Sequence, residues 1–298
     1  MDPVLLLTNL EAGGSAQGLE QALAVLRTRT DVEVARTSNP GELDGVLQRR
    51  GGRRIVVAGG DGSLHTIVAA LHRRNELGKA VLGLIPLGTG NDFARGSGIP
   101  LQPEPAAEIA ITGDVRPVDI LVNCAGQPVV NAVHVGVGAE AGRQAGSWKK
   151  PLGRVGYLLG GLVAGFTQRG VRLRVEADGE LLADLNRTLI QLAIGNGSHV
   201  GGGTTLAPGA SPEDGLADLV LSFATSPWAR VGYLARLATG SHPQRHDVVM
   251  AKARRISLSG QGFWCNADGE VFGPETNLEW HVEPGALRMV LPPKGAAD

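Results

Sequence analysis

Apolar strand-like runs alternate with amphipathic helix-like stretches through the first third of the chain, and this alternation constrains the fold more than any other feature of the sequence. Near-continuous apolar runs are typical of strands in a parallel sheet whose two faces are covered by helices. The predicted strands are 3–9, 31–38, 53–60 and 80–88, and the predicted helices are 16–29, 40–50 and 63–74. We therefore predict a Rossmann-like α/β domain, in which ligands bind at the carboxyl ends of the strands.

The remaining part of the chain has a different texture. Short apolar and β-branched runs follow one another with Gly, Asn and Pro between them, which predicts an antiparallel β-sandwich domain. Two helical stretches interrupt it, at Arg154–Gln168 and Pro227–Thr239. The expected organisation is an α/β domain over residues 1–117, which the tail 286–298 can complete, and a β-rich domain over 118–285, with the active site in the cleft between them.

Length, charge and cysteine content narrow the class of protein. A chain of 298 residues is long for one compact core and favours two domains. With 28 basic and 29 acidic residues, the formal net charge of -1 argues against a nucleic-acid-binding protein that relies on a broad positive field. Cys124 and Cys265 fit no metal-binding spacing and indicate a reducing compartment without disulfides. The apolar runs are too short for a secretory signal or a transmembrane helix, so we expect a cytoplasmic protein.

The first of two glycine-rich turns, Gly59–Gly62, lies between a predicted strand and a predicted helix. Backbone amides at such a helix start can bind phosphate oxygens, and the hydroxyl group of Ser63 can cap the helix or donate to phosphate. A single cluster of this kind is also typical of an ordinary tight turn. Asp61 favours ligand binding, because a carboxylate beside a phosphate requires a cation such as Mg²⁺ between them.

A second turn with the same features follows the next predicted strand. Gly88–Gly90 again leaves the backbone open, and Asn91 and Asp92 add an amide and a carboxylate. Two such turns after successive strands arise by chance far less often than one. Together they predict a nucleoside triphosphate site whose cation is held by Asp61 and Asp92. The sequence has no G-x-x-x-x-G-K-[ST] motif, which excludes a P-loop enzyme.

The tetrapeptide Ala-Asp-Gly-Glu occurs twice, at Ala177–Glu180 and at Ala267–Glu270. Asp-Gly between alternating apolar residues is a strong β-hairpin signal, so a hairpin turn is the simplest interpretation of both copies. The residues of the tetrapeptide do not by themselves distinguish a structural copy from a catalytic one.

A series of motifs, taken in chain order, resembles the bacterial diacylglycerol kinase family and most closely its YegS-like lipid kinases. The series runs from one end of the chain to the other, which makes it more specific than GGDG alone, a motif that would also suit NAD kinases and 6-phosphofructokinases. The motifs are GGDGS at Gly59–Ser63, PLGTGNDFAR at Pro86–Arg95, VDILVN at Val118–Asn123, AIGNGSHVGGGTTLAPGASPEDGLADL at Ala193–Leu219, NADGEVFG at Asn266–Gly273 and LPP at Leu291–Pro293.

The resemblance implies an ATP- and Mg²⁺-dependent kinase that phosphorylates a lipid hydroxyl group, on diacylglycerol, phosphatidylglycerol or a similar lipid. It assigns catalysis to the second tetrapeptide, with Glu270 as proton acceptor and Asp268 beside it, and leaves Asp178 and Glu180 in a hairpin of variable sequence. The implied nucleotide-binding residues are Asn9, Thr37, Gly59, Gly60, Asp61, Gly62, Ser63, His65, Thr66, Gly88, Thr89 and Asn91. The implied metal-binding residues are Asp61, Asp92 and Asp119 for a Mg²⁺ network, and Ser211, Asp214 and Leu216 for a second, structural metal ion.

Two stretches depart from the family pattern. Asn9 is followed by Leu10 where the family has Asn-Pro, and the glycines arrive only at Gly13–Gly14. GGDGSLHT replaces GGDGT-x-NE, so that His65 and Thr66 stand where the family has Asn and Glu, and the carboxylate of a capping box is lost. These departures keep a non-catalytic, lipid-binding relic open as one alternative. An NAD or other small-molecule kinase that shares the GGDG turn is the other.

One segment of the second half has the features of a membrane-surface contact. Basic residues there flank a tryptophan and an apolar stretch, a combination that anionic membrane surfaces attract. The residues are Arg143, Trp148, Lys149, Lys150, Arg154 and Val155–Phe166. The pattern is equally typical of a solvated loop before a core helix. We expect a lipid partner at a membrane surface and no nucleic acid, while the sequence leaves monomer and homodimer open.

Overall fold

The computed structural model describes residues 3–9, 15–136 and 170–295. The chain forms two compact units, one built from Met1–Ile120 and Glu283–Asp298 and the other from Leu121–Val282. The predicted helix at 154–168 and the basic and apolar segment at 143–166 lie outside the described residues, as do Leu10 and Gly13–Gly14.

The strands are numbered in chain order. They are β1 (Val4–Asn9), β2 (Val32–Thr37), β3 (Arg54–Gly59), β4 (Val81–Pro86), β5 (Asp114–Asn123), β6 (Pro128–Val129), β7 (Ala132–Gly136), β8 (Leu173–Ala177), β9 (Glu180–Ala183), β10 (Gln191–Gly195), β11 (His199–Val200), β12 (Thr204–Thr205), β13 (Ala217–Ser222), β14 (Val248–Ala253), β15 (Arg255–Ala267) and β16 (Glu270–Leu291).

The helices are likewise numbered in chain order. They are α1 (Ala16–Arg29), α2 (Pro40–Gln48), α3 (Asp61–Arg73), α4 (Asp92–Gly96), α5 (Pro103–Thr112) and α6 (Pro227–Ala238), with short 3₁₀ turns at Leu77–Lys79 and His242–Gln244. Among the described residues, every helix is too short or too polar to cross a bilayer.

The sheet of the first unit is parallel, as the sequence predicts. β1 lies between β2 and β3, β3 pairs with β4, and the end of β16 adds a further parallel strand beside β4. The apolar run Ile55–Val57 in β3 is completely buried, because helices cover both faces of such a sheet. The register pairs Asn9 with Thr37 and Gly59 with Pro86, so that the carboxyl ends of the four strands meet at one edge.

Capping side chains explain where the first two helices begin. Ser15 and Asn39 each accept a hydrogen bond at 3.0 Å from the backbone amide three residues later. The sequence pattern does not predict α4 or α5. In α5 the reason is the two prolines at its start, Pro103 and Pro105, which resemble a helix-breaking signal. Proline is nevertheless compatible with the first turn of a helix, because amides there have no partner within the helix.

The second unit is built on an antiparallel sheet with the strand order β14-β13-β10-β7-β15-β16, and β8 pairs with β15 and β9. Neighbouring residues of β10 point to opposite faces of this sheet. Leu192 packs in a large core with Trp280, whereas Ala193 packs in a second core with Tyr233 of α6. The antiparallel β domain that the sequence predicts is therefore present, and both faces of its sheet are covered.

Both cysteines are free thiols, as predicted. Cys124 is exposed and Cys265 is buried in β15. Burial raises the pKa of the Cys265 thiol to about 12, so that it stays protonated and unreactive in the folded protein.

Candidate active site

The first glycine-rich turn joins β3 to α3. Gly60 is the N-cap residue of α3, and no side chain caps this helix. Gly59 is required for packing, because a Cβ there would lie 2.4 Å from Ser63 Oγ. A Cβ on the exposed Gly62 would instead meet no atom of the described residues within 4 Å. The start of α3 therefore combines the positive end of a helix with open space for an anionic ligand.

The second turn packs directly on the first. A Cβ on Gly88 would lie 2.6 Å from Gly60 Cα, and a Cβ on Gly60 would lie 3.0 Å from Gly88 Cα. Asn91 holds the second turn closed, since its Oδ1 accepts from the Gly88 amide at 3.0 Å and its Nδ2 donates to the Gly88 carbonyl at 2.8 Å. Asn91 itself adopts the left-handed conformation, with φ 52° and ψ 43°. The backbones of the two turns are therefore packed directly against each other.

Asp61 links the two turns through hydrogen bonds. Its Oδ2 accepts from the Asp92 amide and its Oδ1 from the Phe93 amide, both at 3.0 Å. These are the first two amides of α4, so the first residue of α3 supplies the N-terminal cap of the next helix. The motif alone does not reveal this role, because the partners are 31 and 32 residues apart.

Two carboxylates meet at this point. Asp61 Oδ2 and Asp92 Oδ2 lie 3.1 and 3.3 Å from the position that a Cβ on Gly90 would occupy. Asp92 is only 7% exposed. Asp61 is half-buried, and two ionised carboxylates this near each other repel, a repulsion that a cation bound between them would offset. Mg²⁺ is commonly bound by one or two carboxylates together with phosphate oxygens, so the pair of Asp61 and Asp92 fits this ion.

Two predicted nucleotide-binding residues lie at the ends of strands near these turns, and a third lies in the second turn. Asn9 and Thr37 are register partners at the carboxyl ends of β1 and β2. Thr89 is exposed within the second turn. Their placement at the same sheet edge as Gly59 follows from the parallel register, because the carboxyl ends of parallel strands lie together.

His65 and Thr66, the residues that depart from the family pattern, lie in the first two turns of α3. The Thr66 hydroxyl donates to the Gly62 carbonyl at 2.9 Å, so this side chain bonds to its own helix. His65 is half-buried. The sequence comparison placed the N-cap at Ser63, but α3 begins at Asp61 with Gly60 as its N-cap, so position 66 lies too far along the helix for a capping box and the expected loss of a capping carboxylate there does not apply.

Asp119, the third predicted member of the Mg²⁺ network, lies on β5. It is 3% exposed, and its Oδ1 accepts from the Gly285 amide at 2.7 Å. Across residues 3–9, 15–136 and 170–295, no group of three or more His, Cys, Asp or Glu side chains is arranged to hold a metal ion. The place of Asp119 in the network stays a prediction.

In the second tetrapeptide, Asp268 binds the backbone of the segment that leads into β7. Its carboxylate accepts from the amides of Val130 at 2.6 Å, Asn131 at 2.9 Å and Ala132 at 3.1 Å. Its own amide donates to the Ala132 carbonyl at 3.0 Å. Three charge-assisted hydrogen bonds to one carboxylate fix the position of the turn from which β16 begins.

The first tetrapeptide has the same structure. Asp178 and Asp268 have φ values of 49° and 48°, and each is followed by a glycine with positive φ. The Asp178 carboxylate accepts from the amides of Arg254 and Arg255 at 2.8–3.1 Å, and its own amide donates to the Arg255 carbonyl at 2.9 Å. Both aspartates therefore hold a turn against a neighbouring strand. Any chemical difference between the copies lies in the glutamate and its surroundings.

Glu270, the first residue of β16, is exposed and pairs with Ala267. The turn between them is held by the buried Asn266, whose Oδ1 accepts from the Gly269 amide at 2.9 Å. On the other side, Asn266 pairs with His134 of β7. The second copy therefore differs from the first in having Asn266 bonded to its turn and His134 paired with Asn266.

His134 is one of two histidines, with His199, to which the sequence assigns no role. Burial lowers its pKa to about 4, although the nearby Asp268 carboxylate opposes this shift. Its Nδ1 atom is buried and has no hydrogen-bond partner among the described residues. The imidazole is therefore neutral at physiological pH. The only sequence signal is a histidine within an apolar strand, and a structural histidine gives the same signal.

The residues that the resemblance implies for a structural metal lie in the loop before β13. Asp214 Oδ1 accepts from the Leu216 amide at 3.0 Å, and Asp214 Oδ2 accepts from Lys252 Nζ at 2.7 Å. Ser211 Oγ accepts from the Glu213 amide at 3.4 Å. The hydrogen bond with Asp214 raises the pKa of Lys252 and keeps its ammonium group charged.

Two family models match the chain. The diacylglycerol kinase catalytic domain matches residues 3–122, and the YegS C-terminal NAD kinase beta sandwich-like domain matches residues 131–291. Together with the strand pairings, these matches confirm the predicted fold class of an α/β domain followed by a β-sandwich domain.

Proteins similar to this chain over nearly their whole length carry the name probable lipid kinase YegS-like. One from Pseudomonas aeruginosa strain UCBPP-PA14 is 34% identical over 303 residues, which cover 98% of this chain and 95% of that protein. One from Xanthomonas oryzae pv. oryzae strain MAFF 311018 is 32% identical over 294 residues, with coverage of 92% and 91%. A crystal structure of a diacylglycerol kinase from Bacillus anthracis str. Sterne superimposes with a TM-score of 0.77 at 23% identity, over 98% of this chain and 97% of that chain. At this identity the superposition supports the fold.

Proposed function

Because the chain belongs to the YegS-like lipid kinase family and contains a diacylglycerol kinase catalytic domain, we propose that it transfers the γ-phosphoryl group of ATP to a lipid hydroxyl group, on diacylglycerol, phosphatidylglycerol or a similar lipid. The observation that carries this proposal is the approach of the Asp61 and Asp92 carboxylates beside two turns with open backbone. An acidic pair next to a positive helix end is suited to a phosphate together with its cation.

The two turns bind the nucleotide in this proposal. The amides at the start of α3 donate to phosphate oxygens, and the missing side chain at Gly62 lets the phosphates approach the backbone. Mg²⁺ held by Asp61 and Asp92 would neutralise charge on the phosphates and on the group being transferred. Asp61 keeps its orientation because two backbone amides of α4 bind its carboxylate.

Glu270 acts on the acceptor. It takes the proton of the lipid hydroxyl while the hydroxyl oxygen forms a bond to the γ-phosphorus, the bond from that phosphorus to the β–γ bridging oxygen breaks, and ADP leaves. Exposure of Glu270 supports this role, since a membrane lipid must reach the base from outside the protein. Asp268 is a positioning residue, because its bonds to the backbone before β7 hold the turn that carries Glu270.

Phosphoryl transfer from labelled ATP to lipids in mixed micelles tests the proposal. Diacylglycerol, phosphatidylglycerol and a total lipid extract are offered as separate acceptors, with Mg²⁺ or with EDTA. We expect labelled lipid only with Mg²⁺. Glu270→Gln should lower kcat by about 100-fold or more, because it removes the general base. Glu180→Gln is the matched control in the first tetrapeptide and should leave kcat unchanged.

Two results would contradict the lipid kinase assignment. Labelling of NAD without labelling of any lipid would support a small-molecule kinase that shares the GGDG turn. Absence of transfer to every acceptor, with a protein that still binds lipid vesicles, would support a non-catalytic relic, the alternative that His65 and Thr66 motivate.

A further inference from the structure

The ammonium group of Lys252 lies among oxygen atoms of residues 209–218, which comprise the loop before β13 and the first two residues of that strand and are called the 209–218 loop below. Its Nζ is 2.7 Å from Asp214 Oδ2, 3.1 Å from the Gly209 carbonyl oxygen and 3.2 Å from Asp218 Oδ2. The contacts with Asp214 and Gly209 are hydrogen bonds, and the contact with Asp218 is an ion pair, so all three oxygens complement the positive charge of the ammonium group.

The strand register explains how Lys252 reaches this position. Lys252 of β14 is the direct cross-strand partner of Asp218 of β13. Asp218 is 4% exposed, and burial raises the pKa of its carboxyl group, whereas the ammonium group of Lys252 opposes this shift and favours the ionised carboxylate. Lys252 is long enough to pair with Asp218 and to reach the Gly209 carbonyl and Asp214 beyond it. One side chain therefore joins both ends of the loop to the sheet.

The oxygen atoms that could bind a divalent ion already accept hydrogen bonds. Asp214, the one carboxylate among the residues implied for a structural metal, has Oδ1 bound by the Leu216 amide and Oδ2 bound by Lys252. Ca²⁺ takes six to eight oxygen ligands and Mg²⁺ requires octahedral coordination. A divalent ion on Asp214 would also lie beside the like charge of the ammonium group, which is unfavourable.

We propose that Lys252 supplies the positive charge that holds the 209–218 loop, and that this loop is stable without a divalent metal ion. The ammonium group stands in for the structural metal that the family resemblance implies at Ser211, Asp214 and Leu216. The inference concerns the stability of the second unit and is independent of the kinase activity.

Thermal unfolding without nucleotide tests the proposal. The wild-type protein is compared in EDTA, in millimolar Mg²⁺ and in millimolar Ca²⁺, and its Tm should be the same in all three. Lys252→Met should lower Tm by about 3–8 °C, because it leaves the buried Asp218 without its cation. Lys79→Met, at an exposed lysine of a 3₁₀ turn, is the matched control and should leave Tm unchanged. In the double variant Lys252→Met with Asp214→Asn, Tm should fall by less than the sum of the two single-variant losses, because both substitutions remove the same interaction.

The proposal is overturned if Mg²⁺ or Ca²⁺ raises the wild-type Tm and Asp214→Asn removes that rise, since the ion would then bind at this loop. A rise that persists in Asp214→Asn arises elsewhere and leaves the proposal standing. The proposal is also overturned if the Tm of Lys252→Met is no lower than the Tm of the control variant Lys79→Met. If Lys252→Met does not fold, Lys252→Arg keeps the charge and should remain indifferent to metal, while the wild-type comparison still decides.

Discussion

Asp178 and Asp268 hold their neighbouring strands through the same arrangement of hydrogen bonds. Each lies in a left-handed conformation, each donates its amide to a carbonyl of the next segment, and each accepts backbone amides on its carboxylate. The chain therefore contains one turn twice, and only the second copy is backed by Asn266 and His134. Every substitution in the second copy has a natural control in the first.

The first prediction concerns Asp268 and Asp178, the corresponding aspartates of the two tetrapeptides. Asp268→Asn and Asp178→Asn should each lower the free energy of unfolding by about 2 kcal/mol, because an amide group replaces an acceptor of charge-assisted hydrogen bonds. Only Asp268→Asn should also lower kcat, by about 10-fold or more, since it loosens the turn before Glu270. Urea unfolding and steady-state kinetics measure the two effects. An equal loss of kcat in Asp178→Asn would mean that stability, and not positioning, limits activity.

Two glycines in the glycine-rich turns should respond to substitution in opposite ways. Gly88→Ala should destabilise the protein by about 1–3 kcal/mol, because its Cβ would be forced against the Gly60 backbone. Gly62→Ala should leave stability unchanged or raise it by about 0.5 kcal/mol, since space is open there and alanine favours helix. Gly62→Ala should nevertheless raise KM for ATP about 10-fold by obstructing the phosphates. An unchanged KM would place the phosphates away from α3.

Asp61 and Asp92 should both affect the Mg²⁺ requirement. Asp92→Asn should raise the Mg²⁺ concentration for half-maximal activity, because one of the two carboxylates is lost. Asp61→Asn should raise it as well, and should also lower the free energy of unfolding by about 1–2 kcal/mol, because the cap of α4 is weakened. Activity titrations with Mg²⁺ and thermal melts check both expectations. If Asp61→Asn changes stability alone, its role is limited to capping.

His134 should contribute to acid sensitivity. Its pKa in the folded protein is about 4, below the ordinary value of 6.5, so the unfolded state binds its proton first as the pH falls. Stability is therefore lost between pH 6.5 and pH 4, by at most about 3 kcal/mol from this residue. His134→Asn should flatten this part of the profile, although the lowered pKa of His242 adds to the loss in both proteins. Urea unfolding at pH 7 and pH 4.5 measures the difference, and parallel profiles would contradict it.

Local patterns were sufficient to predict the α/β order and the antiparallel domain. The helix predicted at 16–29 matches α1, because periodicity and the Ser15 cap are both encoded within a few residues. α5 was not predicted, since Pro103 and Pro105 give a misleading local signal. The cap that Asp61 places on α4 and the contacts of Lys252 join residues more than 30 positions apart. Such contacts depend on the tertiary fold, and local sequence patterns do not predict them.

Because Gly60 and Gly88 are packed against each other, we expect the two glycine-rich turns to move together. A phosphate that pushes one turn aside must carry the other with it, and the spacing of Asp61 and Asp92 would change in the same movement. Occupancy by nucleotide and affinity for the cation would then rise and fall together. For the same reason, a mutation that changes the shape of one turn should require a compensating mutation in the other turn.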